Sequence, residues 1–156
     1  MARRKDKQVH KVYGWEHQWY HWNNQMISLY GARMWVRWAC RVYGIDPPVV
    51  RAAKPKAATS FYDPEEHAIS LKPRHTNAAV ALHEAAHAIQ DRYYDWDKIE
   101  DHGPEFAGIY ISLLLASKMY PETAITASAK AAGIKTSRGA TPYAIRPKRR
   151  TKKSPR

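Results

Sequence analysis

Cysteine is almost missing from this chain of 156 residues. Cys40 is the single one, which excludes an internal disulfide framework and suits a reducing compartment. Long apolar runs are missing as well. The longest, residues 109–116, is interrupted by Ser112 and falls far short of the ~20 residues that span a bilayer, so no membrane partner is expected. No apolar segment of the secretion-signal kind follows the basic start Met1–Lys7, and the expected location is cytoplasmic. Glycine is sparse and nowhere arranged as a phosphate-cradling loop. No Ser/His/Asp combination points to a serine hydrolase. Acidic residues are outnumbered, 14 against 26 Lys and Arg.

That imbalance is unevenly placed. Residues 1–11 hold five Lys/Arg and one Asp, and residues 138–156 hold eight Lys/Arg and no acid, so the two ends carry the whole net charge of +12. The expected organisation is a basic flexible arm (1–11), one folded domain (12–137) and a disordered basic tail (138–156). The tail, from Arg146 to Arg156, has too little apolar surface to fold alone. Such a segment neutralises phosphates, so DNA is the expected partner; a solubilising role or contact with an acidic protein is the alternative.

What is present is a helix that carries chemistry. Val80–Ile89 contains His83-Glu84-Ala85-Ala86-His87 within a run of strong helix formers. Residues four apart share a helix face, so His83 and His87 can aim their imidazoles at one point. Glu84 lies about 100° round the axis, where its carboxylate reaches a water at the metal without becoming a ligand. This is the residue set of a hydrolytic zinc site: two ligands and a general base. The alternative is a pair of ordinary helix histidines. A catalytic zinc usually takes a third protein ligand. His102 is the first candidate, because the 14 residues after His87 allow two more turns and a return, and Pro104 would open a new helix beside it. Glu105 is the second candidate, and Asp91, one turn past His87, is a candidate to orient an imidazole.

His83-Glu84-x-x-His87 followed by His102-Gly103-x-x-Phe106 resembles the SprT-like zinc metallopeptidases, the group that includes the Spartan DNA–protein crosslink proteases; the likeness extends over about residues 58–120. The resemblance implies an α+β fold with a zincin-like core, mostly helical, with a small antiparallel hairpin or sheet beside the metal helix. It also implies His83, His87 and His102 as zinc ligands, Glu84 as catalytic base, and proteins as substrates. Many relatives carry a cysteine-rich zinc ribbon after this core. With only Cys40, this chain has none.

The remaining sequence supplies the frame. Trp15, Trp19, Trp22, Met26 and Leu29 follow a 4,3,4,3 spacing that Ala32, Val36, Ala39 or Cys40, and Tyr43 continue, which predicts a helix or helix pair from Trp15 to Gly44, with Gly31 as the break or weak point. Its aromatics are expected to pack against the metal helix; a stacking surface for bases built from Trp35, Trp38, Tyr20 and His21 is the alternative. Thr59–Tyr62 and Ala68–Leu71 flank a turn-rich segment and predict a β-hairpin. Thr76 or Asn77 caps the metal helix, placed at 77–94. Residues 93–97 form an aromatic, acidic exit loop that covers one wall of the site. Helices follow from Pro104 to about Tyr120 and from Pro121 to about Gly133. His67 and His75 are expected to be loop residues without a catalytic role.

The first functional expectation is therefore a DNA-associated zinc endopeptidase. The second is a non-catalytic nucleic-acid-binding protein with a structural zinc site. A nuclease is third, disfavoured because the acidic segment 95–105 would repel phosphate.

Overall fold

The computed structural model describes residues 5–19 and 24–137. Its class is α+β: helices α1 (Val9–Trp19) and α2 (Leu29–Val42), strands β1 (Val49–Ala52), β2 (Phe61–Asp63) and β3 (Ala68–Leu71), then helices α3 (Ala78–Tyr93), α4 (Pro104–Ser117) and α5 (Glu122–Ala131). Tyr20, His21 and Trp22, and the basic tail from Arg138 onward, lie outside the described residues.

α3 is the central element, because its surface is built to be covered. Ala78, Ala79, Ala81, Ala85, Ala86 and Ala88 are all buried, and their small side chains let neighbouring backbones approach closely. α2 and α4 flank it, and β2 and β3 also touch it. Leu82 and Ile89 are fully covered, each contributing about 1.5–3 kcal/mol through burial. The helix starts where Asn77 Oδ1 accepts the Val80 N–H at 2.9 Å, the cap that the sequence offered together with Thr76.

The expected hairpin forms. β2 and β3 pair antiparallel, with Phe61 opposite Ser70 and Tyr62 opposite Ile69. Asp63 Oδ1 accepts the N–H groups of Glu65 and Glu66 and so holds the turn. The sheet also has a third strand. β1 pairs in parallel with β3, giving the order β1-β3-β2 and a mixed sheet where an antiparallel one was expected. β1 is an edge strand, and only Val50 of its four residues is buried.

The long aromatic stripe is divided differently from its periodicity. The break falls between Trp19 and Leu29, while Gly31 lies inside the first turn of α2. Ser28 caps α2 by accepting the Gly31 N–H at 3.1 Å, and Met26 forms an isolated antiparallel bridge with Asn77, which takes the chain out of helical geometry. Trp15 and Trp19 are core residues, and Trp35 and Trp38, edge to face with each other, pack against the core's margin.

The N-terminal segment departs most from expectation. α1 begins at Val9, inside the stretch read as an arm, and Asp6, Lys7 and Gln8 before it are tied to the domain. Gln8 is buried; its side-chain amide donates to the carbonyls of His102 (3.0 Å) and Lys135 (3.2 Å) and accepts the Lys135 N–H (2.7 Å). Replacing it strands three backbone groups. Gln8→Ala is expected to cost about 1–3 kcal/mol of stability in urea unfolding, where an exposed arm residue would cost nothing measurable.

Candidate metal centre

Two elements bring three imidazoles together. α3 carries His83 and His87 one turn apart. The third, His102, stands just before α4, where Gly103 is the N-cap and Pro104 the first helical residue. Gly103 allows a close approach, since a Cβ there would lie 3.1 Å from the Glu100 Cβ and 3.2 Å from the Glu100 carbonyl oxygen, tighter than ordinary contact. The three histidines each offer a ligating nitrogen, all within 4.8 Å of one another. The Nε2 atoms of His87 and His102 are each 3.3 Å from Nε2 of His83. Tetrahedral nitrogen ligands about 2.0–2.1 Å from a zinc ion lie about 3.3–3.4 Å apart, and these two separations match that spacing. Glu105, the alternative third ligand, is not in the cluster.

Phe106 sets the rings at these angles. Its ring stacks on His87 with centroids 4.4 Å apart and meets those of His83 and His102 at 4.9 Å each, forming a hydrocarbon floor beneath all three. The last residue of His-Gly-x-x-Phe is thus part of the site's architecture.

Two carboxylates orient the rings, and both come from the N-terminal segment. His83 Nδ1 donates to Glu16 Oε1 at 2.7 Å, and His102 Nδ1 donates to Asp6 Oδ2 at 2.7 Å. Holding the proton on Nδ1 presents the lone pair of Nε2 to a metal and raises its basicity. Asp6 also accepts the His102 backbone N–H at 3.2 Å. Burial opposes a charge on His83, but Glu16, by charge and hydrogen bond, and Glu84 outweigh it, and the imidazole's pKa lies above its ordinary value. His102 goes the other way, lowered by burial first and then by His83, with Asp6 partly offsetting both.

Neither carboxylate was among the candidates. Glu16 left a signal: it falls in the row of Val12, Trp15 and Trp19, and a carboxylate on a buried stripe requires a partner. Asp6, placed in a basic arm, left none. Asp91, the sequence candidate for orienting an imidazole, instead accepts the Tyr62 hydroxyl at 3.0 Å. Glu16→Gln should weaken zinc binding about 10–100-fold in a chelator competition, because the neutral amide no longer raises His83's basicity; unchanged affinity would show that the pairing is only structural.

Glu84 is buried beside the triad. It accepts the Tyr62 backbone N–H, while its Oε2 has no hydrogen-bond partner among the described residues. Burial, with a smaller effect of Glu16, pushes its carboxyl up to about 7, despite the lowering effects of His83 and the Tyr62 N–H. Two cavities meet at this residue. One, of about 270 Å³, extends past Lys72, His75 and Val80; the other, of about 250 Å³, holds all three histidines, Trp96 and Asp101. Tyr13, Thr59, Ser60, His83 and Glu84 line both. The exit loop supplies a wall through Trp96, as expected, and His75 borders the cleft although it was expected to have no role there.

The donor set fits a metal ion: three nitrogens with room for an exogenous ligand, and an unpartnered carboxylate oxygen beside them. Compared with models of known protein families, with curated proteins and with solved structures, the chain showed no match. No helix among the described residues is long and apolar enough to cross a membrane.

Proposed function

We propose that this protein is a zinc endopeptidase of the SprT-like type, with a zincin-like core, acting on DNA-associated proteins. The observation that carries the reading is the buried, unpartnered oxygen of Glu84 beside three converging imidazoles, at the meeting point of two cavities. Zinc held by His83, His87 and His102 would supply Lewis-acid polarisation of the substrate carbonyl and a more acidic water. Glu84 takes the proton of the attacking water and returns it to the leaving amine. A carboxyl held near neutrality suits both halves of that transfer.

β2 supports a peptide substrate. It pairs with β3 on one side and is the end strand of the sheet, and Thr59–Tyr62 line the cavity that holds the histidines. An extended peptide pairing antiparallel with this edge would cross the site with its carbonyl facing Glu84. The basic ends, outside the described residues or at their margin, would hold the enzyme on DNA where protein substrates are also held.

The charge of the ends also favours a second reading, a nucleic-acid-binding protein whose zinc is structural. A structural zinc site normally closes with four protein ligands, and among the described residues the cluster has three, which ranks the catalytic reading first. The deciding experiment incubates zinc-loaded protein with a basic DNA-binding protein, with and without single-stranded DNA. Cleavage that requires Glu84 and is stimulated by DNA supports the peptidase. Salt-sensitive DNA binding that survives Glu84→Gln, with no cleavage in either condition, supports the binding protein.

A further inference from the structure

Peptide hydrolysis needs a donor for the oxygen that becomes anionic as water adds to the carbonyl. Two tyrosines line the cavity around the histidines, Tyr13 and Tyr62. Tyr62 is engaged elsewhere: its hydroxyl donates to Asp91 Oδ2 and lies 2.9 Å from His67 Nδ1. Tyr13 is placed differently. It stands three residues before Glu16 on α1, so the helix turn that sends Glu16 to the back of His83 sends Tyr13 to the cleft. Its ring lies nearly parallel to His83 (13°, centroids 5.8 Å apart) and 5.1 Å from His102. It lines both cavities, is 45% exposed, and its hydroxyl has no hydrogen-bond partner among the described residues.

We propose that Tyr13 is a catalytic residue, its phenol donating a hydrogen bond to the substrate's carbonyl oxygen as that oxygen becomes anionic. The proton stays on the phenol throughout. An ordinary phenol ionises only near pH ~10, so the donor persists across the neutral range. α1 would then complete the site twice, orienting His83 through Glu16 and the substrate through Tyr13. Two other polar groups of the first cavity, His75 and Lys72, are less suited. His75 does not line the cavity that holds the histidines, and Lys72 Nζ donates to the Ala58 carbonyl.

The inference rests on the peptidase reading, and its test separates the two. Tyr13→Phe keeps the ring against His83 and removes only the hydroxyl. With zinc-loaded protein, kcat for peptide cleavage should fall about 10²–10³-fold while KM and zinc affinity stay within about twofold. In parallel, wild type and variant are titrated with a phosphinic tripeptide, whose tetrahedral oxygens need a donor, and with a mercaptoacetyl dipeptide, which offers only a thiolate to the metal. The phosphinic ligand should lose at least tenfold in affinity and the thiol ligand should lose nothing. Unchanged kcat, or equal loss for both ligands, overturns the role of Tyr13. If wild type cleaves no peptide, the peptidase reading fails, and the difference between the two ligands still decides whether Tyr13 donates.

Discussion

Glu84→Gln is expected to lower peptide cleavage by about 10²–10⁴-fold while the zinc remains bound, because the amide has the shape of the carboxylate but cannot take the water's proton. The same substitution should stabilise the metal-free protein at alkaline pH. In the folded chain the Glu84 carboxyl is pushed up to about 7 from 4.5, chiefly by burial. Between those values the folded state holds the proton and the unfolded state has lost it. The contribution is therefore fully present below pH 4.5 and lost as pH rises through about 7. At pH 8 the ionised, poorly solvated carboxylate should destabilise the metal-free wild type by the order of 1–3 kcal/mol relative to the amide. Thermal unfolding of metal-free wild type and variant at pH 5 and pH 8 checks the sign. A stability gap no larger at pH 8 than at pH 5 would contradict the buried-carboxylate account, whatever the activity.

His102→Ala should reduce zinc affinity about 10²–10³-fold, the share of one ligand in the binding free energy of a structural zinc site. This exceeds the effect expected for Glu16→Gln, since a ligand is removed instead of its orienting partner. Glu105→Ala, at the alternative third position, should leave affinity unchanged. Chelator competition on the variants orders the three effects. The wild-type affinity should also fall as pH drops through the titration of His83, because a metal needs the neutral imidazole and Glu16 favours the protonated one. A Glu105 effect equal to that of His102 would reassign the third ligand.

How far the site was legible follows from sequence separation. His83, Glu84 and His87 lie on one helix, whose 3.6-residue period is a local property, so their relative placement could be derived before any fold was known. His102 came within reach because its spacing allowed a return and Pro104 marked a new helix. Glu16 and Asp6 bond histidines 67 and 96 residues away, and no local rule relates such positions. The same limit governs the fold. The hairpin, the Asn77 cap and the starts of α4 and α5 are short-range features and emerged within a few residues of their expected places. The break between α1 and α2 did not, because the apolar spacing runs on across it while the Met26–Asn77 bridge, a contact between distant segments, takes the chain out of the helix. β1 was missed for a related reason, since its parallel partner β3 comes only after β2 and the pairing leaves no turn signature.

The sequence by itself therefore determined the helix-borne pair of imidazoles, the carboxylate beside them and the charge of the ends. These depend on the helical repeat and on composition, which need no knowledge of distant contacts. Only the tertiary structure decided that the N-terminal segment belongs to the candidate metal centre. Packing Trp15 and Trp19 into the core fixes the rotation of α1 and so delivers Glu16 and Tyr13 to His83. A buried aromatic can be expected from its spacing, but the partner across the interface is set by how two helices lie against each other, and that is a property of the whole folded chain.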